Sequence, residues 1–367
     1  MLCFNYRLIF ILLFSTMVFL PITSCSDDNS STDGNSDTDS GTDSFGDTDT
    51  DTDTDTDTDT DTDTDTDTDT DSDTDTDTDT DTDTDTTVID TDTGPDTDLV
   101  ADICGRWNDD RADMDEGTWS GDVSSCDPGD ISPGARDNAL RLVNLYRYMA
   151  DLPPVVTDDT RNAKAQECAL MMDANNKLSH EPPTSWTCYT PDGAEAAGNS
   201  NISSAPGVLS VDSYMIDNGN ETTLGHRRWI LSNSLGPVGL GSTTDSSCMW
   251  TIGGTGDAGR EWTAYPSPGV FPIEAVTTLW WSDLNETGWS LQSDDINLDN
   301  AKVSVTANGQ KIPMKVAVLQ PWFGAHYAIS MIPDGWTMET DTHYEVEVTG
   351  ISKTISYDFY TVTCKLP

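Results

Sequence analysis

The residues of this chain best suited to chemistry are two of its four histidines, His180 and His226. The first closes Leu178-Ser179-His180, and the second opens His226-Arg227-Arg228-Trp229-Ile230-Leu231 after Gly225. Both stand at the ends of apolar, helix-like segments, with acidic residues spaced between them. Imidazole titrates near neutrality and ligates metals, so two rings that converge with carboxylates can hold a divalent cation or move a proton. A single histidine at a helix end more often serves backbone carbonyls, and only the pair with its acids points to a site. No nucleophile with an evident base accompanies them: Ser179 adjoins His180, but helix neighbours point to different faces.

The elements that must carry these rings follow from spacing. Residues Ala135 to Ala150 place Leu140, Val143, Tyr146 and Met149 on one helical face, and Pro153-Pro154 forbid continuation. A second helical pattern from Thr160 to Lys177 delivers His180 at its end. A Gly-rich loop carries Glu195, Val208 to Ile216 gives a third helix ended by Asp217-Asn218-Gly219-Asn220, and Leu224 to Ser232 a fourth. Glycine-punctuated strands are expected at 238–241, 248–252 and 262–265. Asn144 and Arg147 read as packing or hydrogen-bonding supports, and Arg227 and Arg228 as covers for a helix end or partners of local acids.

Six fragments in register then resemble a known family. They are Asn144-x-x-Arg147, Leu178-Ser179-His180, Glu195 in Gly193-x-Glu195-x-x-Gly198, Tyr214-x-x-Asp217, Gly225-His226-Arg227, and Val238-Gly239-x-Gly241. Their order is similar to that of the CAP superfamily, the cysteine-rich secretory, antigen 5 and pathogenesis-related group also called SCP domains, and Gly-His-Arg-Arg-Trp-Ile-Leu resembles its bacterial branch. The resemblance covers about 135–265. It implies an α-β-α sandwich whose cleft presents two histidines and two acids, sometimes around zinc or magnesium. Matched by motif, those residues are His180, Glu195, Asp217 and His226. The family places Glu where Asp217 stands, one methylene longer, which leaves open an altered metal geometry, Asp212 as the true member, or a vestigial site. Two imidazoles and two carboxylates suit a tetrahedral or octahedral cation.

The rest of the chain bears on where this unit sits. Residues 1–25 hold one cation, Arg7, then the apolar run Leu8 to Leu20 and the ending Ile22-Thr23-Ser24-Cys25. That reads as a secretory signal, and the ending resembles a bacterial lipobox whose cysteine is acylated. Acyl chains add roughly 0.8 kcal/mol per buried methylene, enough in combination to hold a protein at a membrane. Residues 26–100 are almost wholly Asp and Thr, a near-perfect two-residue repeat from Asp47 to Thr86. Of the 66 acidic residues, 30 Asp fall between 27 and 98, where no Lys or Arg occurs. Such a segment repels itself and cannot bury a core, so it reads as a disordered spacer spanning on the order of 50 Å. Calcium binding or threonine glycosylation there lacks any fixed geometry.

The remainder carries 36 acids against 16 bases once Arg7 is set aside with the signal, which disfavours DNA, RNA and anionic lipid surfaces as partners. Six cysteines remain after Cys3 and Cys25: Cys104, Cys126, Cys168, Cys188, Cys248 and Cys364. An even count on an exported chain predicts three disulfides, and proximity suggests 104–126, 168–188 and 248–364 among the possible pairings. Residues 101–134 show no sustained period and read as an irregular arm, with Asp109, Asp110, Asp113 and Asp115 as solvated acids. From 266 to 367 apolar and polar residues alternate in short runs, and Asn308-Gly309 signals a hairpin between Lys302–Ala307 and Lys311–Leu319. Trp280, Trp281, Trp289, Trp322 and Trp336 fit core and corner positions better than a sugar-stacking platform. His326 and His343 have no evident companions.

The expected fold is α+β: a CAP-like α-β-α sandwich over 135–265 followed by a small antiparallel, Ig-like β-sandwich over 266–367. The expected function is an exported lipoprotein, lipid-anchored at a membrane and facing the cell surface or periplasm. It displays a binding module for an extracellular ligand, lipid, peptide or glycan, with a cleft able to hold a divalent cation. The alternative is a metal-assisted, peptidase-like hydrolase using a water polarised at His180 and His226.

Overall fold

A computed structural model describes residues 94–364 of the 367. The expected signal (1–25), the lipid-bearing Cys25 and the spacer through residue 93 lie outside the described residues. Among the described residues, no helix is long and apolar enough to cross a membrane.

The chain enters through helix α1 (Thr97–Asp110), capped by Asp96, whose Oδ1 accepts from the amides of Asp98 and Leu99. This corrects the expectation of an irregular arm from 101. Ile103 and Trp107, one turn apart, are buried, and Trp107 packs edge-on to Tyr146 at 6.4 Å. Asp110, expected to be solvated, is 9% exposed and paired with Arg106. Residues 111–132 remain irregular apart from a single 3-10 turn (Val123–Ser125).

Helix α2 (Pro133–Met149) is followed by α3 (Asp159–Asn175), α4 (Pro191–Gly198), strand β1 (Ser200–Ser203), α5 (Gly207–Ile216), α6 (Gly225–Ile230), β2 (Gly239–Ser242) and β3 (Ser247–Trp250). The three strands form one antiparallel sheet in the order β1-β3-β2. Successive strand side chains face opposite ways. Cys248 and Trp250 therefore meet α3 and α4 through Cys168, Ala169, Met172 and Ala196. Met249 and Leu240 join α2 and α5 through Val143, Val211 and Met215. The result is the expected helix–sheet–helix layering. Gly241 lets α3 lie directly on the sheet, because a Cβ there would stand 2.2 Å from the Ala165 carbonyl carbon.

Nine further strands make two sheets. Strands β4 (Thr263–Tyr265), β6 (Trp289–Ser293), β10 (Tyr327–Pro333) and β9 (Met314–Val318) form one, in the order β4-β6-β10-β9. The other runs β5 (Gly269–Pro272), β12 (Ile355–Val362), β11 (His343–Thr349), β7 (Lys302–Ala307) and β8 (Gln310–Ile312). The short helix α7 (Leu284–Thr287) precedes β6. The sheets meet through Trp289, fully buried, whose ring lies 5.2 Å from Phe359 and 5.7 Å from Tyr344. Two expectations are corrected here. Strand β5 pairs with β12 in parallel, so the second sheet is mixed. The run expected after the Asn308-Gly309 turn is cut at Pro313, which cannot donate to a ladder, and its two halves join different sheets.

The disulfides also differ from the proximity pairing. They join Cys104 to Cys364, Cys126 to Cys188 and Cys168 to Cys248. Each links separate elements rather than closing the shortest loop: α1 to the end of β12, the 3-10 turn to the loop before α4, and α3 to β3.

Candidate functional site

Helix α5 ends at Asp217, which adopts a left-handed conformation at φ 60° and turns the chain into the loop that leads to His226 at the start of α6. The Asp217 side chain is fully buried, and its Oδ1 lies 2.8 Å from His226 Nδ1. Asn220 Nδ2 donates to the same oxygen at 2.9 Å, and Oδ2 accepts from the Arg227 amide at 3.3 Å. A carboxylate can only accept, so the short contact assigns the ring proton to Nδ1. Among the described residues His226 Nε2 has no protein partner, on a side chain 22% exposed. Tyr214 supports the ring from one side at 5.0 Å. The α6 backbone is pinned by Asn201 of β1, whose Nδ2 donates to the His226 carbonyl at 3.0 Å. This is an imidazole held by a buried acid with its outer nitrogen exposed, an arrangement that can accept or donate one hydrogen bond to a ligand or water.

His180 is oriented in a similar way by a different group. It follows α3, and its Nδ1 lies 2.8 Å from the Ala197 carbonyl at the end of α4. That carbonyl and Asn201, which holds the His226 backbone, are four residues apart, a span of at most about 14 Å. Both histidines are therefore secured to the same short stretch joining α4 to β1, although no direct contact joins the rings.

Glu195 does not enter this arrangement. It lies on the exposed side of α4, where its Oε2 meets Lys164 Nζ of α3 at 2.6 Å, with Asp192 at 3.2 Å from the same ammonium. Asp212, the other acid considered for the cleft, is held elsewhere. It accepts from Arg111 at 2.8 and 2.7 Å and from the Tyr146 hydroxyl at 2.6 Å, joining α1, α2 and α5. Of the four acids and histidines expected together, the structure brings only Asp217 and His226 into contact. Among the described residues, no group of three or more His, Cys, Asp or Glu side chains is placed to hold a metal ion. His226 presents a single ligating nitrogen, Nε2, and without a group of three such side chains among the described residues the site does not supply the ligands a bound zinc requires.

Arg227 and Arg228 are fully buried, and only part of what they meet, the carbonyls that end α5, is the helix-end role expected of them. Arg227 donates to the carbonyls of Met215 (2.6 Å), Ile216 (3.0 Å) and Gly288 (2.7 Å). Arg228 donates to the carbonyls of Thr223 (2.9 Å), Gln320 (2.7 Å) and Ala325 (3.0 Å). Among the described residues neither guanidinium has a carboxylate partner. Burial lowers both pKa values to about 10, so both stay cationic at neutral pH. Gly288, Gln320 and Ala325 belong to the β-rich half, and the two arginines clasp it to α6.

The same clasp brings aromatic residues beside the site. The turn Pro321 to Ala325 sits on α6: Gln320 N–H donates to Thr222 O, and a Cβ on Gly225 would stand 2.7 Å from Phe323. At its tip Trp322 is 68% exposed and meets His326 at 4.2 Å with the rings tilted by 59°. Ser282 reaches Asn218, next to Asp217, at 3.2 Å, and beside it stand the exposed Trp281 and Trp280, the latter 92% exposed. Trp289 is buried in the core and Trp336 packs, partly buried, against it, as expected, while these three tryptophans do not. His343 pairs with Asp358 at 2.8 Å, away from these contacts.

Comparison with known proteins agrees with the layered half. The model of the CAP family, described as the cysteine-rich secretory protein family, matches residues 140–253. No curated protein matches the chain. A crystal structure of an extracellular protein containing an SCP domain, from Bacillus anthracis str. Ames, is similar at 20% identity and a TM-score of 0.25. That match covers 33% of this chain and 43% of the other, less than half of that protein's length.

Proposed function

We propose that the chain is an extracytoplasmic binding module whose contact surface is the segment Asp217–His226 together with the tryptophans that the β-rich half sets around it. The observation that supports this reading most is the pairing of an anchored imidazole with bare aromatic surface. His226 offers one oriented polar atom, Nε2, and Trp280, Trp281 and Trp322 offer large apolar faces tied to the same loop. Folded proteins rarely leave such faces in water without a use, and contact sites favour tryptophan because it brings area and a hydrogen-bond donor at low entropic cost. The CAP match and the three disulfides support export. In this reading Cys25 carries the lipid, the Asp/Thr segment is the spacer, and the ligand is a peptide, lipid or glycan outside the cell.

The test uses the full chain against glycan and peptide arrays, with His226→Ala and Trp322→Ala as variants. Hits weakened in both variants support the reading. Hits indifferent to both, or metal-dependent hydrolysis of arrayed peptides that disappears in His226→Ala, would overturn it, the latter in favour of a peptidase.

A further inference from the structure

A cavity beside α3 is built from residues that take no part in the surface described above. It has a volume of about 460 Å³, within the range that holds small ligands. Leu170 of α3 is buried at its base, and Glu167 stands one turn earlier on the same helix. The indole of Trp186 and the phenol of Tyr189, from the loop that follows Pro182-Pro183, line it as well. The Cys126–Cys188 disulfide fixes that loop to the 3-10 turn. Thr190, the N-cap of α4, donates its hydroxyl to Glu167 Oε2 at 2.5 Å, which sets the carboxylate's direction and leaves Oε1 without a partner among the described residues.

The electrostatics of this cavity are one-sided. No Lys, Arg or His lines it, and the nearest ammonium along α3, Lys164, is engaged by Asp192 and Glu195. Neither Trp186 Nε1 nor Tyr189 Oη is hydrogen-bonded to the protein among the described residues. A half-buried carboxylate without a cation, in a cavity also lined by two electron-rich rings and on a strongly acidic chain, attracts positive charge. One carboxylate and two rings cannot complete the oxygen shell of a hard metal ion, whereas an organic ammonium needs only an anion and aromatic faces.

We propose that this cavity is a binding site for an organic ammonium group, held between Trp186 and Tyr189 and paired with Glu167. The group comes either from a small free amine or quaternary ammonium, or from a lysine side chain of a peptide.

Calorimetric titration of the full chain with choline, lysine methyl ester, a Gly-Lys-Gly peptide blocked at both ends, and the uncharged choline isostere 3,3-dimethylbutanol tests this. At least one cation should bind, with the neutral isostere about tenfold weaker or undetectable. Glu167→Gln, which keeps the Thr190 contact, should weaken the cation about tenfold, as should Trp186→Leu. Circular dichroism and melting of both variants confirm that they fold. Binding of the blocked peptide as tight as that of the small cations identifies a lysine side chain as the source, and binding of the small cations alone identifies a free ligand. The proposal fails if no cation binds the folded protein, if the isostere binds as tightly, or if Glu167→Gln leaves affinity unchanged.

Discussion

At the scale of single residues, Arg227 and Arg228 matter for stability as His226 does for binding. A buried guanidinium without a carboxylate is costly, and it persists here because it satisfies carbonyls that would otherwise be buried without donors. Arg227→Ala would orphan the carbonyls of Met215, Ile216 and Gly288 at once, and we expect a loss of about 3 kcal/mol or more in urea unfolding. Arg227→Lys should recover less than half of that, since one ammonium cannot reproduce a planar fork of five donors. The sequence marks these arginines by their place in Gly-His-Arg-Arg, where they read as covers for a helix end or partners of local acids, and Arg227 does cover the carbonyls that end α5. Their true acceptors include Gly288 and Ala325, 61 and 97 positions away, and main-chain carbonyls leave no trace in a sequence. Asp217 was legible through Tyr214-x-x-Asp217. Glu195 was misplaced because its motif fixes a stretch of chain, not the face of α4 from which the side chain projects.

At the scale of elements, helix α5 shows how the irregular residues 111–132 contribute. Its first amides, Val208 and Leu209, donate at 2.8 and 2.7 Å to Glu116, which caps the helix from a distant part of the chain. Burial raises the Glu116 pKa above its ordinary 4.5, although the two amide donors pull it down. The folded chain therefore takes up this proton more readily than the unfolded chain does. The associated stability is fully present below about pH 4.5 and is lost as pH rises through the folded value. Wild type should accordingly gain stability relative to Glu116→Gln as the pH is lowered from about 7 to about 4, measured by denaturant midpoints. The hairpin turn carries a simpler expectation. Asn308 and Gly309 both have positive φ, 48° and 74°, and Gly309→Ala should cost about 1 kcal/mol. That turn was plain in the sequence because only a few residue pairs accept the geometry. Helix α1 was not, although Leu99, Ile103 and Trp107 recur every four residues: the Asp/Thr repeat runs into its first turn, and Gly105 interrupts its middle.

At the scale of the whole molecule, the two halves share one hydrophobic core, in which Tyr146 of α2 meets Tyr265 of β4 at 6.2 Å and Tyr265 meets Phe271 at 5.2 Å. The Cys104–Cys364 bond closes the frame across 260 residues, tying α1 to the last strand. Replacing both cysteines with serine should cost about 4–5 kcal/mol in the chain-entropy picture, read as a lowered midpoint under oxidising conditions. Pairing by proximity failed for all three disulfides because spatial neighbours in this fold are distant in sequence. The layered half was legible from its motifs, and the β-rich half from its alternation. Their union was not, because it rests on Tyr146, Arg227 and Arg228 reaching across.

The account depends on that union, since the surface around His226 exists only if both halves build it. Differential scanning calorimetry of the oxidised chain tests it directly. We expect one transition, with calorimetric and van't Hoff enthalpies in agreement. Two separable transitions, with the helical layers melting apart from the β-sheets, would contradict it.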